Sequence, residues 1–211
     1  MAAKALTMPK ITCVPNGPYL VSEANLRRAD GEPLTGAGGV ALCRCGGSGR
    51  KPFCDGTHGT IGFSDRNGAD PALDRRAAYA GTGITIFDNR SLCAHAGFCT
   101  DRLKTVFRMK TEPWIEPDAA EVGEVIATIE QCPSGALSYA RDGVEARVAP
   151  REPMVTVTND GPYAVSGGVE LPGVQFGKGA SEEHYTLCRC GGSNNKPFCD
   201  GSHWHLGFKD P

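Results

Sequence analysis

The chain has 211 residues and a formal net charge of −2, with 22 Lys and Arg against 24 Asp and Glu. That length holds one large domain or two to three small ones, and the charge balance lacks the basic surplus of a nucleic-acid platform. No run approaches the ~18 apolar residues of a membrane span, and the first eight residues lack the apolar core of a signal peptide. A cytoplasmic protein with no nucleic-acid or membrane partner is therefore expected. The chain also carries 10 Cys; without a secretion signal, clustered cysteines point to metal binding or redox chemistry rather than to disulfides.

Near the N-terminus, Ile11, Cys13, Tyr19 and Val21 alternate with more polar residues around Asn16-Gly17-Pro18. This pattern predicts a strand, a tight turn and a second strand. A third strand is expected through Val40 and Leu42. Residues 43–58 then read Cys-Arg-Cys-Gly-Gly-Ser-Gly-Arg-Lys-Pro-Phe-Cys-Asp-Gly-Thr-His, which spaces three thiols and one imidazole as C-x-C-x8-C-x3-H. Asp55 is expected to cap a short helix carrying Cys54 and His58 on one face, with Gly56 allowing close backbone approach.

Residues 64–78 are polar, rich in Gly and Pro, and read as a linker. A strand is predicted at 83–87. A helix is predicted from Asp118 to about 131, with Asp118 as N-cap, Glu121 completing a capping-box-like pattern, and Val122, Val125, Ile126 and Ile129 forming its apolar face. Cys93, Cys99 and Cys132-Pro133 fall in this segment. Residues 141–153 read as a second linker containing a possible short strand at 144–148.

The last third repeats the first. Residues 155–166 match 11–22, and 187–208 match 42–63 without a gap, identical at 16 of 22 positions including all three Cys and the His. The repeat sets Cys13 opposite Val157, so Cys13 is expected to pack as a small hydrophobe. His184 and His205 have no counterpart in the first copy and are expected to be solvated or to lie behind the ligands. Four soft or borderline ligands at one spacing, twice, imply two metal or iron–sulfur centres. On spacing alone, a structural zinc held by three thiolates and an imidazole remains the competing reading.

These blocks resemble the CDGSH iron–sulfur family, the mitoNEET-like proteins, through Cys54-Asp-Gly-Thr-His58 and Cys199-Asp-Gly-Ser-His203, with Cys43-Arg-Cys45 and Cys188-Arg-Cys190 upstream. Thr57 replaces the family's Ser and keeps the hydroxyl. The resemblance implies a [2Fe–2S] cluster on Cys43, Cys45, Cys54 and His58, and a second on Cys188, Cys190, Cys199 and His203. It also implies that the two copies form an intrachain pseudo-dimer.

The middle segment resembles the divergent single-cluster ferredoxin domains (the YjdI-like group), through its cysteines, Pro113-Trp114-Ile115 and Cys132-Pro-Ser-Gly-Ala-Leu137. Bacterial ferredoxins place a further Cys between the first two; here that position is Ala96, beside His95. Three thiolates from Cys93, Cys99 and Cys132 suit a [3Fe–4S] cluster, whereas a [4Fe–4S] form needs His95 or water. An empty relic whose thiols merely pack is the other reading.

The expected architecture is thus α+β and β-rich: a CDGSH module over 1–70, a ferredoxin-like domain over 79–148 and a second module over 151–211. No nucleophile–base pair or phosphate loop stands out, so a non-enzymatic, monomeric electron-transfer protein is expected, serving a redox partner or an apo-acceptor of clusters. Cluster donation, redox or pH sensing, and a zinc-bearing interaction module are the rivals.

Overall fold

The computed structural model describes residues 8–34 and 39–210, so the first seven residues of the expected first module lie outside it. In the first repeat, strands β1 (Lys10–Cys13), β2 (Tyr19–Ser22) and β3 (Asn25–Arg28) are followed by β4 (Val40–Leu42) and a single helical turn, α1 (Thr57–Thr60). The alternation decides which face is buried: Ile11, Tyr19, Val21 and Leu42 are core residues, and Cys13 packs against them half-buried.

The middle region contains β5 (Ala77–Ala80), β6 (Thr85–Asp88), the short helix α2 (Phe98–Arg102), α3 (Val122–Ile129), β7 (Leu137–Arg141) and β8 (Val144–Glu145). Its four strands form an antiparallel meander in sequence order. The helices lie between β6 and β7 in the chain, and α3 buries Val125 and Ile129 in a core with Ile84, Ile86, Val106 and Phe107. The second repeat adds β9 (Met154–Val157), β10 (Tyr163–Ser166), β11 (His184–Leu187) and α4 (Ser202–His205).

Three expectations need correction. The helix begins at Val122, with Glu121 at the cap and no side-chain capping bond. Asp118 sits instead in a 3-10 turn (Pro117–Ala119) and accepts hydrogen bonds from Thr82 N at 2.7 Å and Thr82 Oγ1 at 3.3 Å. Its carboxylate is committed to the β5–β6 turn, where backbone donors need a partner. The stretch read as the first linker holds another 3-10 turn (Pro71–Leu73) and the start of β5. Of the two readings of His184, solvated or behind the ligands, burial removes the first; its Nδ1 lies 3.0 Å from Ser181 Oγ.

The two repeats are joined through their edges. β3 leaves its own repeat and pairs parallel with β9, giving the order β11-β10-β9-β3, whereas β1, β2 and β4 form a three-stranded sheet. The exchange is reciprocal: Ile11 N donates to Glu170 O at 2.8 Å, and Glu170 N to Pro9 O at 2.9 Å. One hydrophobic cluster contains the inward faces of both repeats. Units of about sixty residues bury little apolar surface alone, and pooling two inner faces solves that problem. At its centre the Tyr19 and Tyr163 rings meet edge to face, with centroids 6.0 Å apart.

Candidate metal centres

Each ligand block is a loop between a strand end and a helical turn. In the first copy β4 delivers Cys43 and Cys45, whose sulfurs lie 3.8 Å apart. Cys54 precedes α1, and the left-handed Gly56 (φ 91°) turns the chain so that Cys54 Sγ lies 3.4 Å from His58 Nδ1. The expectation that Cys54 and His58 share one helix face is therefore corrected: only His58 is helical. The second copy reproduces both pairs, Cys188 with Cys190 at 3.8 Å and Cys199 with His203 Nδ1 at 3.4 Å.

Supporting bonds recur as well. Asp55 accepts from Thr57 N at 3.0 Å and Gly49 N at 2.8 Å; Asp200 accepts from Ser202 N at 3.0 Å and Asn194 N at 2.8 Å. Asp55 thus serves the helix start as expected, although Gly56 occupies the cap position. These bonds hold the Asp55 carboxyl well below the usual range, those from Thr57 most of all. Ser48 Oγ donates to Phe53 O at 2.7 Å and Ser193 Oγ to Phe198 O at 2.7 Å, which closes each loop.

Backbone N–H groups point at the sulfurs. Gly47 N donates to Cys45 Sγ at 3.4 Å, Gly56 N to Cys54 Sγ at 3.5 Å, Gly192 N to Cys190 Sγ at 3.5 Å and Gly201 N to Cys199 Sγ at 3.4 Å. Such bonds stabilise thiolate charge and raise the reduction potential of a cluster held there. In the second copy the hydrogen bond between its first two cysteines lowers Cys190 and raises Cys188, as for two sulfurs sharing one proton. Burial pushes the Cys199 thiol up and holds the His203 imidazole below its ordinary value, which favours the neutral ligand form.

The donor set can be tested against the groups it might hold. Among the described residues, no three or more His, Cys, Asp or Glu side chains converge as a site for one ion. The ligands stand as two pairs in each repeat. A structural zinc needs four donors around a single point; two pairs, three thiols and one imidazole, would fit a two-iron, two-sulfide group better than one ion.

Sequence reasoning missed the residues that join the two centres. The Tyr19 hydroxyl donates to the carbonyl oxygens of Cys188 and Pro197, each at 3.0 Å; Tyr163 donates to those of Cys43 at 2.8 Å and Pro52 at 3.1 Å. Each tyrosine therefore buttresses the ligand loop of the other repeat. Cys45 and Cys190 form an antiparallel bridge, and a Cβ on Gly46 or Gly191 would strike the carbonyl of Cys190 or Cys45. The buried Arg44 pairs with Asp65 at 3.1 Å and Arg189 with Asp210 at 2.5 Å, tying the chain beyond each helical turn back to the C-x-C step. The identity of Tyr and Arg at matched repeat positions was the available signal.

In the middle domain Cys93, Cys99 and Cys132 all line one cavity of about 430 Å³. Cys93 follows a 3-10 turn (Arg90–Leu92), Cys99 sits in α2 and Cys132 follows α3. Burial pushes the Cys93 thiol up and Cys99 up to about 11. Arg90 lies over the Trp114 ring at 4.1 Å and reaches to 3.9 Å from Cys93 Sγ, so a cation faces sulfur that would carry charge as a ligand. Ala96 also lines the cavity, as does His95, whose backbone N donates to Cys93 Sγ at 3.4 Å. Three thiols around such a space suit a multi-iron cluster. His205 is exposed, as expected.

Comparison with known proteins finds two family models along the chain. A family model described as "Iron-binding zinc finger CDGSH type" matches twice, over residues 16–59 and 160–204. One described as "Divergent 4Fe-4S mono-cluster" matches 79–142. The "Uncharacterized protein YjdI" of Escherichia coli strain K12 is 41% identical over 61 residues, covering 29% of this chain and 80% of that protein. The protein of the same name from Escherichia coli O157:H7 matches to the same extent. No solved structure matches. The chain thus carries two CDGSH-type iron-binding modules flanking a divergent 4Fe-4S mono-cluster domain, and through that domain it belongs with the YjdI proteins.

Proposed function

We propose that this protein is a three-centre electron carrier. Cys43, Cys45, Cys54 and His58 hold one [2Fe–2S] cluster, and Cys188, Cys190, Cys199 and His203 hold another. Cys93, Cys99 and Cys132 hold a cuboidal cluster of the [3Fe–4S] or [4Fe–4S] type. The observation that carries this reading is the pairing of ligands with an N–H group aimed at sulfur, repeated in both copies. Such clusters supply one-electron chemistry; the chain's own residues bind them, tune them and restrict water.

The reciprocal tyrosines and edge strands support reading the repeats as an intrachain pseudo-dimer and the protein as a monomer in solution. The strand, cysteine loop, helix and Cys-Pro strand entry of the middle domain support a ferredoxin-like arrangement. No helix among the described residues is long and apolar enough to cross a membrane. The partner is a one-electron carrier protein met in the cytoplasm, and no catalytic role is assigned. Delivery of a cluster to an apoprotein is the second reading, favoured by the half-buried His58 and Cys54 of the first repeat.

Iron and acid-labile sulfide analysis of anaerobically purified protein tests the proposal. The repeats are expected to hold about four of each, and the middle domain to add about three or four. Zinc as the dominant metal from iron-replete cells overturns it. Light scattering that shows an obligate dimer overturns the monomer.

A further inference from the structure

The matched 22-residue blocks differ at six positions, and some of those differences, together with one position just ahead of the block, lie on one surface. His184, Asn195 and Trp204 stand where the first copy has Gly39, Arg50 and Gly59. All three meet the middle domain. Asn195 Nδ2 donates to Ser91 O at 2.8 Å, and Trp204 Nε1 donates to His95 O at 3.1 Å. The His184 carbonyl lies 3.2 Å from where a Cβ on Gly135, three residues beyond Cys132, would stand. Gly39, Arg50 and Gly59 are exposed.

The consequence falls on the ligand loops. The His95 ring crowds the point where a Cβ on Gly201 would stand, so a side chain there would have to displace it, whereas nothing lies within 4 Å of the matching position on Gly56. The cavity holding the three middle-domain thiols is closed on one side by Asp200, Gly201, Trp204 and His205. Trp204 is 66% exposed, so it lies across the rim of that contact, with its ring 5.4 Å from the His203 ring. Cys199 and His203 are buried, whereas Cys54 and His58 are only half-buried.

We propose that His95 and Trp204 form a latch that docks the middle domain over the second ligand loop, making the second repeat the retained centre and the first repeat the centre open to partners and exchange. This inference rests on the reading of the repeats as iron–sulfur sites. Both loops have the same internal bonds, so intrinsic lability should be alike. What separates them is access: water, acid or a chelator must open the interdomain contact to reach His203, but meets His58 directly. Local opening of a docked contact costs free energy that an uncovered loop does not.

The test uses the full chain, purified anaerobically. Reduced-state EPR follows loss of the two binuclear centres to an iron chelator at mildly acidic pH, and Cys54→Ser and Cys199→Ser identify the phases. Wild type should lose iron in two phases, the slow one absent from Cys199→Ser. The double variant His95→Ala/Trp204→Gly should speed the slow phase about tenfold and leave the fast phase unchanged, as expected for losing one hydrogen bond and its packing. Trp204→Phe keeps an aromatic ring but loses the Nε1 donor, and should speed it about threefold. Hydrogen exchange gives an independent readout: amides 201–205 should exchange more slowly than 56–60, and the double variant should remove that difference. A single phase in wild type, unaltered rates in both variants, or equal exchange in the two loops overturns the latch while leaving the iron–sulfur reading intact. Absence of iron and sulfide overturns both.

Discussion

The repeats and the middle domain solve the problem of a small core in opposite ways. The middle domain builds its core mostly within itself: its buried cluster runs from Ile84 to Leu137, with Ala180 of the second repeat packed against it, and α3 covers its sheet. Neither repeat does so. Ile11, Tyr19 and Val21 of one lie in the same cluster as Val155, Tyr163 and Val165 of the other. The helices explain the contrast. The middle domain has an eight-residue amphipathic helix to lay on its strands, whereas the repeats spend most of their helix-forming potential on a single turn that presents a ligand. A ligand loop that cannot contribute to a core requires a second copy.

This contrast is open to direct attack. The largest effect is expected for Gly191→Ala, which places a Cβ against the Cys45 carbonyl at a left-handed position (φ 80°). It should cost on the order of 4 kcal/mol or more, and native-state hydrogen exchange should show both repeats losing protection together while the middle domain keeps its own. Loss confined to the second repeat contradicts a shared core. Next, Ile11→Ala and Ile86→Ala should each cost about 2–5 kcal/mol. The first should weaken protection in β9 and β10, more than 140 residues away, and the second should leave both repeats untouched.

Removing one hydroxyl sharpens the comparison further. Tyr163→Phe leaves the buried Cys43 and Pro52 carbonyls without that donor and should cost about 1–3 kcal/mol in urea unfolding, with no change in the middle domain. The smallest effect belongs to Asp88, whose Oδ1 is buried without a partner and whose carboxyl burial pushes up to about 6. The folded state holds this proton more tightly than the unfolded chain, so stability is lost as pH rises from about 4 towards 6. Asp88→Asn should therefore stabilise the middle domain by about 1–2 kcal/mol at pH 7 and by little near pH 4. An unchanged difference across that range shows that Asp88 does not titrate as described.

Much of this was legible in the sequence. Alternation in 11–22 and 155–166 gave the strands and their buried faces, because a strand's period is two and one face is buried. The ligand spacing gave both pairs. β3 was not legible: Asn25-Leu-Arg-Arg28 has one buried residue and becomes a strand only because β9 offers an edge 129 positions away from Arg27. Asp118 was misread because a helix cap and a turn clasp use the same carboxylate chemistry, and only the placement of Thr82 decides between them. For His184 the solvated alternative failed because a single histidine says nothing of its cover. The interdomain contact left a trace in the repeat differences at Asn195, Trp204 and His184, but its meaning required seeing what those residues touch.

The crossing of the two repeats also sets an order of events at the ribosome. The Tyr19 hydroxyl finds its acceptors 169 and 178 residues downstream, and β3 has no sheet to join until β9 has been synthesised. The middle domain, whose buried cluster runs from Ile84 to Leu137 and whose sheet ends at Glu145, has nearly all of its core in hand while the last third of the chain is still being made. The first repeat must wait for the final one, and its cysteines emerge first and are enclosed last. Long-range pairing is slow because its loop-closure entropy is met before any contact rewards it. Throughout synthesis, then, the earliest ligand loop stays within reach of whatever machinery loads iron and sulfide.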